Sequence, residues 1–511
     1  MDKKILFLKA RTGMDDPSPP MSFSYLGRIA KEKGYEVLVE NLNAQYSNKT
    51  HQDIINLIKK EKPQVVGIHI FTNCARNSYS LIKDIRPYAS MIIAGGPHPT
   101  ACPEEVLEQG ADVAFIGEAE ISFKNFLDAV SSNKKLSKVN GIVFKDNGKI
   151  IKTKPQDVVF ELNKIPVPDR DVHRKSDYVR IKEELNNFGQ ILSTRGCPGK
   201  CTYCFSLFNK CYRYASAKKV FDEISDLRKS YGISYINFID DAFTINKQRL
   251  NELCDLLIKS KLKINWCCAT RADFLDKDAI NKMAEAGCDM INLGIESCLP
   301  NTLLKMQKTG NPEWYVKHAD EILKWCHEAG IRVGVNILTG FPWETAKDMR
   351  VMQRYIDRIK KYVTSGFYGG ILQPQPGTAM YENYAKEYGF EKWWLYKEDL
   401  FKDSYRPFFM AYYHPFWDHL QNNFFHFDKK VFREIDKLYK QMGKWNLYII
   451  TKRRFKNSIA ISAVYQGIFI LSKFSSFLYS LSPSLEKLLM ERLKKFSYRF
   501  KFRKGKENLD L

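Results

Sequence analysis

Two trains of short apolar runs, each alternating with amphipathic stretches, organise the chain. The first runs through KILFLKA (4–10), YEVLVEN (35–41), QVVGIHI (64–70), MIIAGG (91–96) and DVAFIG (112–117). Helical spacing separates these runs at 22–33, 51–61, 76–86 and 103–109. Near-continuous apolar strands with helices between them predict an α/β, Rossmann-like doubly wound N-terminal domain over 1–145. Sheets of this kind bind ligands beyond the carboxyl ends of their strands. Small and polar residues occupy those ends at Thr12–Pro20, Phe71–Cys74, Gly95–Thr100 and Gly117–Glu120.

The rhythm breaks over 146–187, where GKIIKTKP reads as a hairpin arm and KIPVPDRD (164–171) as a proline-stiffened linker. From 188 a second train begins, with strands expected at 189–194, 233–240, 263–269, 289–295, 332–339 and 367–373. Six βα units predict a (β/α)6 partial TIM barrel over 188–378, with its chemistry at the carboxyl-end loops. Residues 379–511 read as a helical C-terminal region rich in aromatic residues, among them Trp393, Trp394, Phe408, Phe409, Phe416, Trp417, Phe424 and Phe425.

Composition adds constraints. At 511 residues, 44% hydrophobic and 27% charged, the chain has room for two or three globular domains. The start, MDKKILFLKA, lacks the long apolar stretch of a secretory signal, so a cytoplasmic, reducing location is expected. In that setting the 12 cysteines do not read as a disulfide framework. The net charge of +22 gathers at the end: residues 451–511 hold 14 Lys and Arg against 4 Asp and Glu. Within them Ile459–Leu481 is apolar but broken by Gln466 and Lys473. That pattern suits peripheral membrane contact by an interfacial helix, and suits a core helix with solvated ends equally well. A basic nucleic-acid-binding protein with a structural metal site is the rival from another class. It is disfavoured, because the basic residues lie outside the barrel and no RNA-binding module is visible.

The decisive segment is ILSTRGCPGKCTYCFS (191–206), where Cys197, Cys201 and Cys204 stand at C-x3-C-x2-C on a Gly/Pro loop after a strand. Three such thiolates need a distant fourth ligand to close a zinc site. On a 4Fe–4S cluster they leave one iron for an exchangeable ligand. Ordinary loop cysteines, or a zinc knuckle completed by Cys211, are the alternatives. The segment resembles the cluster loop of radical S-adenosylmethionine (SAM) enzymes, with an aromatic residue, Tyr203, before the last cysteine. The resemblance implies that SAM chelates the fourth iron and is cleaved reductively to a 5′-deoxyadenosyl radical. It extends through about residue 378 and implies SAM-binding roles for Tyr203, Asp240 and Asp241 in INFIDDAFTIN, Arg271 in CATRADFLD, and Glu296 in INLGIES. VNILTGFPWET and QPQPGTAMY match the family's later turns.

The N-terminal half resembles the cobalamin-binding domain that precedes the barrel in one branch of this superfamily. PPMSFSYLGRIAKEKGYEVLVEN, VVGIHIFTN and GGPHPTACPEEVLEQGADVAFIGEAEISF carry the likeness, while the D-x-H-x-x-G loop of His-on cobalamin proteins is absent. Gly95, Gly96, His98 and Gly117 are the expected contacts to cobalamin, and His69 reads as a satisfied core residue. An N-terminal domain that holds no cobalamin is the alternative. Methylthiotransferases are set aside, because only Cys74 and Cys102 precede the triad. Cys254, Cys267, Cys268, Cys288, Cys298 and Cys326 read as small buried hydrophobes. The resemblance covers both methyltransferases and anaerobic magnesium-protoporphyrin monomethyl ester cyclases. It implies a small-molecule, lipid or tetrapyrrole-like substrate and a low-potential electron donor such as flavodoxin or ferredoxin.

Overall fold

The computed structural model describes residues 3–11, 19–43, 49–173, 188–208, 210–396 and 423–454, together with Gly467. By packing, the chain divides into two compact units. One comprises Met1–Gly294, Leu303–Ile331 and Gln373–Lys402; the other comprises Ile295–Thr302, Arg332–Leu372 and Asp403–Leu511. The tail stretch Ile459–Leu481, apart from Gly467, and the aromatic residues Phe408, Phe409, Phe416 and Trp417 lie outside the described residues.

The first unit opens with β1 (Lys4–Lys9), α1 (Met21–Glu32), β2 (Glu36–Asn41), α2 (His51–Glu61), β3 (Val65–His69) and α3 (Ala75–Ile85). There follow β4 (Ile92–Gly95), α4 (Pro97–Ala101), α5 (Pro103–Glu108), β5 (Val113–Phe115), α6 (Glu120–Ser131), β6 (Ile142–Asp146) and β7 (Lys149–Lys152). These strands form one seven-stranded sheet in the order β2-β1-β3-β4-β5-β6-β7. The first five are parallel and the hairpin β6–β7 adds antiparallel edges. The order reverses beside β1, which pairs with both β2 and β3, and a crevice at the strand ends is expected there. The buried rings of Phe7, Phe23, Phe115, Phe123 and Phe126 fill the core beneath α1 and α6. At Gly67 a β-carbon would stand 2.8 Å from the Phe7 ring, so this strand glycine makes room for the neighbouring aromatic.

The second strand series begins in the same unit with β8 (Phe188–Ile191), the short pair β9 (Thr194–Arg195) and β10 (Arg213–Tyr214), α7 (Ala217–Tyr231), β11 (Tyr235–Phe238) and α8 (Lys247–Lys259). It continues through β12 (Asn265–Arg271), α9 (Lys277–Glu285), β13 (Cys288–Glu296), α10 (Pro300–Lys305) and α11 (Pro312–Glu328). Strands β8, β11, β12 and β13 pair in parallel, in that order. Side chains of Ser216, Asn246, Asp276 and Asn311 accept N–H groups in the first turns of α7, α8, α9 and α11, which fixes where each βα unit turns.

In the other unit β14 (Arg332–Thr339) pairs in parallel with β15 (Gly366–Ile371), and α12 (Ala346–Ile359) opens on a capping box of Thr345 and Asp348. After α13 (Ala379–Tyr384) and α14 (Trp393–Tyr396) of the first unit, the described chain ends in the 26-residue α15 (Lys429–Arg454). Helix α15 is tied to the β14–β15 pair: Tyr439 Oη lies 2.7 Å from Thr339 Oγ1, and Asn446 exchanges two hydrogen bonds with the Phe367 backbone. The α/β class with parallel sheets and a helical C-terminal region is therefore present. Among the described residues no helix is long and apolar enough to cross a membrane.

Candidate functional site

The cysteine loop leaves the sheet between β9 and β10, and its entry is pinned from below. The Asp240 carboxylate accepts N–H bonds from Ser193 at 2.6 Å and Thr194 at 2.8 Å, and the Ser193 hydroxyl at 2.5 Å. Arg249 donates to Ser193 Oγ at 2.6 Å and to the Ala215 carbonyl at 2.7 Å. Asp240 is only 4% exposed, with all three acceptor contacts made inside the protein. These bonds hold the strand that launches the loop. Asp241 is exposed beside the loop, accepts the Gly196 N–H, and raises the pKa of Cys197 and Cys204 through its charge. Neither aspartate caps a helix, since Asn246 begins α8.

Within the loop Gly196 adopts φ +80, and a β-carbon at Gly199 would stand 3.0 Å from Arg271 Nη1 and 3.4 Å from Cys197 Sγ. Arg271 Nη1 lies 3.4 Å from Cys201 Sγ, while Nε and Nη2 donate to Asp273 at 2.9 and 2.7 Å. The guanidinium fork is thus engaged by Asp273. What it offers the site is positive charge beside a thiolate. Thr202 donates to the Met306 carbonyl and accepts from the Met380 N–H, both at 3.0 Å, and Phe205 packs under Gly377. Tyr203 is half-buried between the second and third cysteines.

All three cysteines are unpaired thiols. Burial pushes Cys197 up, offset by the Gly199 N–H and Arg271. Cys204 is pushed up to about 12 by its low-dielectric surroundings and then by Cys201, Asp241 and Cys197, although its edge is open to solvent. Three thiolates beside a carboxylate therefore require a compensating cation, as metal binding supplies. Among the described residues no three Cys, His, Asp or Glu side chains converge on one metal ion. A cubane asks for something else, thiolates spread over separate corners, each bonded to its own iron. The donor chemistry of the loop fits that cluster.

Glu296 belongs to the other unit, where it ends β13 in the left-handed region at φ 70. A non-glycine residue held there costs about 1–3 kcal/mol and persists only where its surroundings enforce it. In the same unit Glu344 of the GFPWET turn is buried, accepts the Gly340 N–H at 2.7 Å and the Phe341 N–H at 3.2 Å, and is pushed up to about 7 by burial.

A second feature lies at the strand ends of the first sheet, a cavity of about 560 Å³. One wall is Lys9, Gly67, His69, Gly95, Gly96 and Gly117, from the ends of β1, β3, β4 and β5. The facing wall includes Gln190, Leu192, Arg195, Leu207, Phe208 and Ile239, from the cysteine-loop side. Glycine suits such a wall because it lets a flat ligand approach the backbone. Gly96 is at φ +114, and a β-carbon there would meet His69 Cδ2 at 2.8 Å and the Ile70 carbonyl at 2.9 Å. The cavity has the size, apolar lining and glycine wall that a cofactor's buried portion needs.

His98 is corrected. It is fully buried away from the cavity lining, bonded to Tyr79 Oη at 2.7 Å and Thr72 Oγ1 at 3.2 Å, with Glu105 3.3 Å away and Trp394 edge-on. His69, expected in the core, lines the cavity instead. Its Nδ1 lies 2.8 Å from Ser22 Oγ, its Nε2 is enclosed without a partner among the described residues, and burial holds its pKa down to about 3, so the ring is neutral. Its position as the last residue of β3 was the signal that could have placed it. Sequence reading also missed Glu118, Glu120, Arg195 and Arg213, which meet beside the cavity. Cys254, Cys267, Cys268, Cys288 and Cys326 are buried, and the thiols of Cys268 and Cys288 adjoin.

The pattern described as "Radical SAM superfamily" matches residues 191–356, and that of the "B12 binding domain" matches residues 14–127. The chain thus carries a radical SAM domain and a B12-binding domain, and is homologous to cobalamin-dependent radical SAM methyltransferases and magnesium-protoporphyrin cyclase-like proteins. An uncharacterized methyltransferase from Pyrococcus horikoshii is 29% identical over 370 residues, 71% of this chain and 78% of the relative. The anaerobic magnesium-protoporphyrin IX monomethyl ester cyclase of Synechocystis is 28% identical over 304 residues, 57% of this chain and 59% of the cyclase. Among solved structures, the radical SAM methyltransferase TsrM from Kitasatospora setae, with cobalamin and a [4Fe-4S] cluster bound, shares the fold at TM-score 0.62 and 18% identity, over 76% of this chain and 75% of that one. The two matched domains make the chain a radical SAM enzyme, with a 4Fe–4S cluster, SAM and cobalamin as cofactors.

Proposed function

We propose that this enzyme methylates an unactivated carbon of a bulky, largely apolar small molecule, of lipid or tetrapyrrole-like character. The observation that carries the reading is the cavity, walled on one side by the strand ends of the cobalamin-binding sheet and on the other by residues flanking the cysteine loop. In this reading Cys197, Cys201 and Cys204 hold the cluster; Tyr203 and Asp241 bind SAM; Gly95, Gly96 and Gly117 admit the corrin. When bound, the cluster with SAM supplies a hydrogen-abstracting carbon radical, and the corrin supplies a methyl group. The chain's own work is orientation and exclusion of water. Asp240 and Arg249 hold the loop entry, Arg271 places a cation beside Cys201, and Phe23, Phe115, Phe123 and Phe208 keep the cavity dry. Names of relatives support methylation, among them a cytidylyl-2-hydroxyethylphosphonate methyltransferase, a bacteriochlorophyllide d methyltransferase and a hopanoid C-3 methylase. Oxidative cyclisation is the second reading, favoured by the magnesium-protoporphyrin ester cyclases among the relatives. A flavodoxin or ferredoxin serves as reductant, and the basic segment 451–511 contacts anionic membrane at its surface.

The test uses the reconstituted, reduced chain and SAM carrying a deuterated methyl group. Labelled methylcobalamin, seen by mass spectrometry, is the expected result; cobalamin that stays unlabelled would sink the methylation reading. Deleting 451–511 is expected to lower sedimentation with anionic vesicles while leaving 5′-deoxyadenosine formation unchanged.

A further inference from the structure

Four buried charges take no part in the chemistry proposed above. Glu118 and Glu120 follow the carboxyl end of β5 in the first sheet. Arg195 ends β9, two residues before Cys197, and Arg213 stands opposite it on β10. Arg195 donates through Nη1 to Glu118 Oε2 at 2.7 Å and through Nη2 to Glu120 Oε1 at 2.5 Å. Arg213 grips both oxygens of Glu118 and donates to the carbonyls of Val159 and Phe208. The side chains of Arg195, Glu118, Glu120 and Arg213 are only 3%, 7%, 13% and 2% exposed.

Two guanidinium groups face two carboxylates, so the set is neutral and offers no spare charge to a ligand. What it offers is stiffness. Forked Arg–carboxylate contacts fix orientation as well as distance, and away from water any displacement leaves a charge without its counterpart. Arg195 also lies against the rings of Tyr25 at 5.7 Å and Phe208 at 5.1 Å. All three of these residues, with Glu118 and Glu120, line the cavity. One guanidinium thus touches the cobalamin-binding sheet, the cavity wall and the strand leading into the cysteine loop.

We propose that the Glu118–Arg195–Glu120–Arg213 network is a positioning device that sets the separation and orientation of the cluster relative to the corrin. The proposal rests on the cofactor assignments of the preceding section. It is tested on the full chain carrying cluster and cobalamin, reduced so that the cluster and Co(II) are both paramagnetic, with their dipolar coupling read by pulsed electron paramagnetic resonance. Wild type is expected to give a narrow distance distribution. Glu118→Gln and Glu120→Gln, still carrying iron and cobalt, are expected to broaden it about twofold or displace it, and Arg213→Lys, which keeps the charge but loses the fork, to broaden it less. Should Glu118→Gln fail to fold, Glu120→Gln at the rim carries the same comparison. A broad wild-type distribution, or an unchanged one in variants that retain both metals, overturns the proposal alone. Iron or cobalt missing from the wild type overturns the cofactor assignments, and the proposal with them.

Discussion

The cysteine loop and the strand-end cavity both read as cofactor sites, yet they are built from opposite materials. The loop is a site of side chains: three thiols, an arginine at 3.4 Å from one of them, and a carboxylate beneath that gathers three donors. The cavity is a site of backbone and apolar surface, with Gly95, Gly96 and Gly117 on one wall and Leu192, Leu207 and Phe208 on the other. Iron needs named ligand atoms. A large flat macrocycle needs room and dryness, which many residues supply interchangeably. The two sites should therefore fail in different ways, and independently.

The largest effect is expected at the loop. Cys201→Ala should lower iron from about four atoms per chain to nearly none and bring 5′-deoxyadenosine to background, because a cubane gripped at two corners is lost on isolation. Cobalamin should be retained at the wild-type ratio. If the cobalt vanished along with the iron, the independence of the two sites would be wrong. Next comes the cavity. Gly96→Val puts a side chain where φ is +114 and where a β-carbon already stands 2.8 Å from His69 and 2.9 Å from a backbone oxygen. Strain of about 1–3 kcal/mol and a filled wall should weaken cobalamin retention by about tenfold. Iron content and SAM cleavage should stay near wild type, and equal loss of both cofactors would again break the comparison.

The same contrast decides what was legible in the sequence. The cysteine spacing declared the loop because its chemistry fixes residue type and interval, and the alternating apolar runs declared both sheets. The cavity was legible only as glycines at strand ends. In sequence, the loop position of His98 suggests a cofactor contact and the apolar strand around His69 suggests the core. In the structure Tyr79, Thr72 and Trp394 enclose the loop histidine, while the strand carries His69 to its open end. Asp240 and Arg271 stand where acidic and basic partners for SAM were expected. What no spacing rule reveals is that Ser193 and Thr194 bond Asp240 and that Arg271 pairs with Asp273. The Glu118–Arg195–Arg213 contacts join residues 77 and 95 positions apart, beyond any local pattern.

The smallest effect concerns the support beneath the loop. Burial pushes the Asp240 carboxyl up to about 6 from its ordinary 3.8, against the pull of Arg249 and its hydrogen bonds. Between pH 4 and 6 the folded chain then holds a proton there that the unfolded chain has released. Stability falls as pH rises through that window, by about 3 kcal/mol at most, and is level in this term above it. Asp240→Asn removes the titration, so the wild type should lose stability relative to the variant from pH 4 to 6, measured as the difference between their urea midpoints at each pH. Reading a difference cancels Glu344, whose carboxyl is raised to about 7 in the other unit. Gly96→Val alters no ionisable group and should keep the wild-type slope. A parallel pair of curves for wild type and Asp240→Asn would mean that Asp240 does not titrate in this window, and that the loop's footing rests on its hydrogen bonds alone.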